Sequence, residues 1–173
     1  MLDEWAPGAK LPANLGTGPV VWQECAGTFA PVSVAAATLQ VAAAAGVLGI
    51  GAAFLRGVRG FGRLAPFVSH LADRGLVGLA AAEGPPFVVP EGGNRPVIGT
   101  NPLALAMGQG ADRVVIDAAS STATMAHLRA ARTLGQLLPE GIAVDAAGQP
   151  TRIAADTFVI HDHEGEGTAP VCV

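Results

Sequence analysis

Tyrosine is absent from this chain of 173 residues, and lysine occurs once, as Lys10. Aromatic residues make up 5% of the sequence and charged residues 14%, whereas 50% is hydrophobic, with alanine and glycine prominent. This composition predicts a core of small side chains and closely packed backbones. A small domain with so few charges usually buries apolar surface between subunits, so we expect a homodimer or a higher oligomer.

The net charge, the two cysteines and the N-terminal residues bear on binding partners and on the cellular compartment. The net charge is −4 and the arginines are scattered, which argues against nucleic acid as a partner. Cys25 and Cys172 form no disulfide framework, and residues 1–13 are polar and proline-bearing, unlike a signal peptide. These features favour a cytoplasmic protein. The tract His161–Glu164 is interpreted as a solvated tail, so no metal site is expected.

One apolar stretch, Val34–Leu55, is about as long as a membrane-spanning helix needs to be. Gly46, Gly49 and Gly51 interrupt it, and the pattern changes from alanine-rich to β-like after Gly46. We therefore predict a buried helix that ends near Ala45, followed by a buried strand, and no membrane segment.

Hydrophobic periodicity predicts an α/β fold in which about three helices pack a mixed β-sheet. The expected helices are Pro31–Ala45, Phe61–Arg74, and one that begins at Ser120, Ser121 or Thr122 and ends near Leu134. The expected strands include Gly18–Glu24, Val47–Leu55, Leu76–Ala82, Leu103–Met107, Arg113–Asp117 and Thr157–His161. The chain should comprise an N-terminal arm (1–17), a single core domain (18–153), and a C-terminal strand and tail (154–173).

Three runs carry a family resemblance: VVPEGGNRPVIGTNPLALAM (88–107), VVIDAASS (114–121) and LPEGIAVDAAGQPT (138–151). They resemble the V-A-P-x-G-G, L-G-T-N-P, D-M-A-T-S and P-x-G-W-A-x-D-x-x-G-x-P-T runs of the malate/L-lactate dehydrogenase family. Members are NAD(P)-dependent oxidoreductases of 2-hydroxy and 2-keto acids. The match extends from about Val20 to Arg152 and implies the central domain of that fold in a truncated member.

In that family these loops lie along the dinucleotide cleft, so the resemblance implies that NAD(P)H could bind here. A Thr-Asn-Pro turn and small hydroxyl residues offer hydrogen-bond donors to phosphate and ribose without steric crowding. The cofactor-binding residues implied are Thr100, Asn101, Ser120, Ser121 and Asp145.

The sequence departs from the family at positions that carry chemistry. The family run R-N-S-x-H-F-G corresponds to Arg56–Gly62, and its proton-transferring histidine is replaced by Gly60. Glu83 stands where the family has asparagine, and His127 where it has lysine. These replacements predict a catalytically degenerate member.

Three titratable residues are therefore candidates for catalysis. Glu83 is either a buried carboxylate acting as a base or a solvated loop residue. His127 is either functional or a partly exposed helix residue, and Asp117 is either an acid/base or an acceptor of loop N–H groups. Arg56 and Arg59 either hold a substrate anion or are solvated loop charges.

The sequence favours an enzyme that acts on a small metabolite in a biosynthetic pathway. Loss of the family's proton donor predicts non-redox acid–base chemistry, such as cyclisation, isomerisation or elimination, with no cofactor. A first alternative is a minimal NAD(P)H-dependent 2-keto/imino-acid reductase that completes its site with a partner subunit. A second is a non-catalytic binding or assembly module.

Overall fold

The computed structural model of the protein describes residues 13–14, 18–157, 159–161 and 168–170. Within these residues there are three α-helices: α1 (Ala30–Leu48), α2 (Ala65–Ala72) and α3 (Met125–Leu134). The strands are β1 (Ala13–Asn14), β2 (Val20–Glu24), β3 (Ala52–Arg56), β4 (Gly78–Ala81), β5 (Leu103–Met107), β6 (Val114–Ala118), β7 (Val159–His161) and β8 (Thr168–Pro170). The prediction of an α/β fold with about three helices is confirmed.

The chain divides into two compact units. The first consists of Met1–Ala80 and Ala104–Asp117, and the second of Ala81–Leu103 and Ala118–Val173. β1 falls within the range expected to be an arm, and it pairs with β2. The expected division into arm, core domain and tail stays a prediction.

In the first unit, β2 lies between β1, which is antiparallel to it, and β3, which is parallel to it. Val21 and Gln23 are buried and alternate with exposed residues along β2, as expected for a strand with one covered face. On the other face, Trp22 stacks on Phe54 with ring centroids 4.5 Å apart. Both rings remain about half exposed, so this aromatic pair covers the sheet only partly.

Helix α1 is longer than predicted and ends at Leu48 instead of Ala45. Gly46 stays helical, whereas Gly49 adopts φ 80° and donates its N–H to the Ala45 carbonyl. A left-handed residue just past the last turn is the usual glycine stop, and here the second of two candidate glycines takes that role. The following strand therefore begins at Ala52 and not at Val47.

By length and composition alone, α1 is long and apolar enough to cross a membrane, and 28% of its apolar stretch is buried. It contacts β2 and β3 of the first sheet. Its buried residues include Val32, Ser33 and Ala37. The sequence predicted a buried helix and a buried strand here, whereas Val47, Leu48 and Ile50 are exposed, so the predicted burial is wrong for this part of the stretch.

Helix α2 is shorter than the predicted Phe61–Arg74 because its first turn begins only after Leu64. It covers one side of the second sheet, whose strand order is β4-β5-β6. The core there is built from small side chains: Leu64, Val68, Ala72, Ala104 and Ala106. The alanines allow close approach of helix and strands, as the composition predicted.

The second unit has a separate core around α3. It consists of Val88, Ala123, Leu128, Ala131, Leu138, Ala143 and Ala154. The helix is capped by Thr124, whose Oγ1 accepts the His127 N–H at 3.2 Å, and not by Ser120, Ser121 or Thr122 as predicted. Ser120 and Ser121 instead direct their hydroxyls to main-chain carbonyls of Thr100 and Ala123.

Candidate functional site

The Gly99–Pro102 turn in the second unit is held from two sides. On one side, Ser120 donates both its main-chain N–H and its hydroxyl to the Thr100 carbonyl, at 2.9 and 3.1 Å. On the other side, the Pro102 carbonyl accepts the Ala82 N–H at 3.1 Å. We call residues 82–84, residues 99–102 and Ser120 together the turn platform. It unites Thr100, Asn101 and Ser120, three of the residues predicted to bind cofactor.

Asn101 supplies a further bond within the turn platform. Its Oδ1 accepts the Gly84 N–H at 3.0 Å, and its φ of 34° is left-handed. No other non-glycine residue in the described part of the chain has positive φ. Asparagine tolerates this conformation better than most residues, which explains why it can stand at this point of the turn.

Gly84 and Gly99 meet face to face in the turn platform. A Cβ atom at Gly99 would overlap the Gly84 carbonyl oxygen, so no side chain fits between the two segments. Gly99 therefore cannot carry a side chain unless the main chain shifts, and the two segments are held in close contact.

Glu83 lies between the two hydrogen-bonded residues Ala82 and Gly84, and its side chain is exposed. Of the two alternatives for Glu83, its exposure agrees with a solvated loop residue and not with a buried carboxylate. The corner that follows is rich in proline and turns away from strand geometry, which leaves the carboxylate at the surface. Glu83 remains available to a ligand that approaches the turn platform.

Asp117 belongs to the first unit, where it caps helix α2. Its Oδ2 accepts the N–H of Leu64 at 3.0 Å and of Ala65 at 2.8 Å. A carboxylate at this end of a helix meets both the free N–H groups and the positive end of the helix dipole. Of the two roles open to Asp117, the structure supports the acceptor of loop N–H groups.

Asp145 and His127 make only local contacts within the described residues. Asp145 Oδ1 accepts the N–H groups of Ala147 and Gln149 at 2.8 and 2.9 Å and thereby closes its own turn. The His127 side chain is exposed on the first turn of α3. Neither residue is hydrogen-bonded to the turn platform, so their assignment to a common site stays a prediction.

Arg56 and Arg59 are exposed in the first unit, at and after the carboxyl end of β3. Arg56 lies 3.7 Å from Glu24 in an ion pair whose side chains are 84% and 50% exposed. Such an exposed pair contributes little to stability and does not hold the arginine rigidly. Its guanidinium can exchange this partner for an anionic ligand at little cost.

A recess of about 360 Å³ opens in the first unit near the C-terminal ends of α1 and α2. It is lined by Val41, Ala45, Gly49, Ile50, Gly51, Leu71, Gly75, Leu76 and Val77. None of the predicted site residues lines it, and it offers no titratable side chain. Within the described residues no group of three or more potential metal ligands converges, and positions 162–164 of the histidine-bearing tract lie outside those residues.

Two features of the turn platform were not foreseen from the sequence. The close approach of Gly84 to Gly99 and the bond from Gly84 to Asn101 join segments that are far apart along the chain. A glycine that directly precedes Pro85-Pro86, together with the glycine of the Gly-Thr-Asn-Pro turn, was the available signal. Sequence alone shows that both positions are glycine but not that they touch.

The sequence profile described as malate/L-lactate dehydrogenase matches residues 4–160. The Pseudomonas putida protein named Delta(1)-pyrroline-2-carboxylate/Delta(1)-piperideine-2-carboxylate reductase is 37% identical over 150 residues, which cover 85% of this chain and 44% of that protein. The (2R)-3-sulfolactate dehydrogenase (NADP(+)) of Chromohalobacter salexigens is 39% identical over 105 residues, covering 60% of this chain and 32% of its own.

Among solved structures, the delta1-piperideine-2-carboxylate reductase from Pseudomonas syringae pvar. tomato superimposes with a TM-score of 0.75 at 32% identity. The match covers 87% of this chain and 46% of that chain. This chain therefore spans about half the length of the relatives that it matches.

These comparisons overturn the expectation of non-redox acid–base chemistry. The relatives are a reductase and a dehydrogenase by name, and the similarity to the reductase runs through most of this chain. The inference was wrong because it treated the replacement of family residues, Gly60 among them, as the loss of the whole reaction type. The alternative of an NAD(P)H-dependent reductase is the reading that agrees with the comparisons.

Proposed function

Because this chain belongs to the malate/L-lactate dehydrogenase family, we propose that it forms the dinucleotide-binding part of an NAD(P)H-dependent 2-keto/imino-acid reductase. The observation that carries the proposal is its 37% identity with the Pseudomonas putida reductase over 150 residues. The reaction adds a hydride to the carbon of a C=O or C=N bond and a proton to its oxygen or nitrogen.

The turn platform is the proposed binding site of the dinucleotide. Main-chain N–H groups and hydroxyls are the donors that phosphate and ribose oxygens require. The Thr100 side chain is partly accessible, while its carbonyl is already bonded to Ser120. The hydroxyl of Thr100 is therefore the group in the turn that we assign to the ligand.

Arg56 and Arg59 are the proposed partners of the substrate carboxylate. A guanidinium matches a carboxylate through two parallel hydrogen bonds, which gives both affinity and orientation. The long, exposed contact between Arg56 and Glu24 leaves that arginine free to turn to a substrate.

The proton supply favours an imine over a ketone. By resemblance the proton-transferring histidine falls at Gly60, which carries no titratable side chain. Reduction of a ketone develops an alkoxide that needs a proton in the transition state. An imine nitrogen can be protonated by water before hydride transfer, so its reduction depends less on a donor at position 60.

The chain spans about half of the relatives' length, so we propose that groups completing the site come from another polypeptide segment or from a partner subunit. Such a catalytically degenerate half could still bind dinucleotide by itself. Cofactor binding and turnover are thus separate properties, and they are tested separately.

The direct test is a fluorescence titration of the purified protein with NADH and with NADPH. We expect saturable binding of at least one cofactor that weakens about threefold to tenfold in Thr100→Val, since one hydrogen bond is lost. Thr133→Val, on the exposed side of α3, is the matched control and should bind like the parent protein. Absence of binding for both cofactors at millimolar concentration contradicts the proposal.

Turnover is measured separately by loss of reduced nicotinamide absorbance with Delta(1)-pyrroline-2-carboxylate and with a 2-keto acid. We expect the imine to be reduced faster than the keto acid. A preference for the keto acid would contradict the argument from Gly60 while leaving cofactor binding intact.

A further inference from the structure

Asn101 combines an unusual backbone conformation with a side-chain hydrogen bond to another segment. Its backbone is left-handed at φ 34°, and its side-chain oxygen accepts a hydrogen bond from the Gly84 N–H at 3.0 Å. Sparsely populated backbone conformations persist where surrounding structure enforces them, and they concentrate at functional sites. The Asn101 oxygen accepts a hydrogen bond from the protein's own main chain, so it has a structural role in the turn.

Two hydrogen bonds hold the main chain on either side of Glu83. Ala82 N–H meets the Pro102 carbonyl at 3.1 Å, and Gly84 N–H meets Asn101. Glu83 lies between them with an exposed side chain. The main chain that carries this carboxylate is therefore tied to the turn at both neighbouring residues, while the carboxylate itself stays accessible.

We propose that Asn101 is a positioning residue, which holds the main chain at Gly84 and thereby positions the backbone of Glu83, whose exposed carboxylate meets the dinucleotide. The ligand in this inference rests on the proposed function. Asn101 acts through Glu83, whose carboxylate accepts a hydrogen bond from the ligand. The resemblance by itself assigned Asn101 to direct cofactor contact, whereas the bond from Gly84 gives its side-chain oxygen a role within the turn.

The hydrogen bond is tested first, without any ligand, by amide hydrogen exchange at Gly84. Asn101→Gly removes the acceptor but accepts the positive φ, so the turn is not strained. Asn101→Asp keeps an oxygen at the same place. We expect exchange at Gly84 to be about threefold to tenfold faster in Asn101→Gly, as for loss of one hydrogen bond, and unchanged in Asn101→Asp. Unchanged exchange in Asn101→Gly overturns the inference.

The indirect role is tested by a double-mutant cycle on dinucleotide binding. Asn101→Gly and Glu83→Gln should each raise the dissociation constant about threefold to tenfold. The double variant should be no weaker than the weaker single variant, because both remove the same contact. Effects that multiply would show that Asn101 acts independently of Glu83 and would overturn the proposal.

A stability control separates positioning from general destabilisation. Thr157 is buried and its hydroxyl lies 3.5 Å from the Ile153 carbonyl, so Thr157→Ala lowers stability without touching the turn platform. It should leave the dissociation constant unchanged. If the parent protein binds neither NADH nor NADPH, the proposed function fails. Amide exchange at Gly84 in the two Asn101 variants still decides whether Asn101 holds the Gly84 N–H.

Discussion

Asp117 accepts the main-chain N–H of Ala65 at 2.8 Å, across 52 residues of sequence. The same oxygen also accepts the N–H of Leu64, and no side chain of the helix's own N-cap does so. A residue at the end of β6 thus caps α2. The bond explains both why α2 begins at Ala65 and why an external anion finds that end of the helix already occupied.

Replacing Asp117 tests this cap. Asp117→Ala leaves two helix N–H groups without their acceptor and should lower the free energy of unfolding by about 1–2 kcal/mol. Asp117→Asn keeps one acceptor oxygen and should lose less. Urea denaturation measures both, with Asp112→Ala, at an exposed position, expected to change stability by less than about 0.5 kcal/mol. Equal stability of Asp117→Ala and the parent protein would contradict the capping role.

Two glycines near the end of α1 should respond oppositely to alanine. Gly46 is helical, exposed and without neighbours around a Cβ, so Gly46→Ala should raise the free energy of unfolding by about 1 kcal/mol. A Cβ at Gly51 would overlap the Val41 carbonyl oxygen, so Gly51→Ala should lower it by about 1–3 kcal/mol. Thermal unfolding compares the pair. The same sign for both changes would show that the helix does not continue through Gly46.

His70 makes stability depend on pH. Burial, and then the charge of Arg74, hold the pKa of His70 below its ordinary 6.5, and its Nε2 is buried without a partner in the described structure. The unfolded state therefore takes up the proton first as pH falls through 6.5, and stability declines from that point downward. Above this pH the contribution is constant.

The measurement is the free energy of unfolding between neutral and mildly acidic pH. His70→Gln should flatten the decline, whereas His127→Gln, at an exposed position on α3, should leave it in place. A decline of the same size in His70→Gln and in the parent protein would assign it to another group.

Cys25 should be unreactive in the folded protein. Its side chain is 1% exposed, and burial raises the pKa of its thiol, although a hydrogen bond with Ser33 acts in the opposite direction. The thiolate is the reacting species, so both access and ionisation protect it. In a Cys172→Ser background, a colorimetric thiol reagent should react with Cys25 slowly under native conditions and fast in denaturant. Rapid reaction in the native protein would show that the Cys25 thiol, which follows β2, is accessible to the reagent.

The sequence predicted the regular elements well where local patterns are unambiguous. Leu103–Met107 was predicted with its observed bounds, since Gly108 and the Thr-Asn-Pro turn delimit it. Boundaries failed where the deciding partner is remote. Leu64 and Ala65 carry no sign that Asp117 will cap them. The end of α1 failed for a local reason, because Gly46 and Gly49 are both suitable stops and the sequence does not choose between them.

For the candidate site, sequence motifs pointed to the Gly-Thr-Asn-Pro turn but not to the hydrogen-bond partners of its residues. Asn101 was assigned to the cofactor because its family motif lies along a dinucleotide cleft, yet its side-chain oxygen bonds Gly84. For Glu83 the sequence left a buried carboxylate and a solvated loop residue open, and the structure shows an exposed side chain. Residue types at a turn show which groups are present, but their hydrogen-bond partners depend on segments that approach only in the folded chain.

The amino-acid sequence by itself determined the order and type of the elements, the small-residue cores and the resemblance to a redox family, because these depend on local periodicity and on short motifs. Tertiary structure decided that Asp117 caps α2 and that Asn101 is bonded to Gly84. Each of these bonds joins segments whose separation along the chain carries no local signal. They form because packing of helices and strands brings unsatisfied N–H groups to the nearest free oxygen.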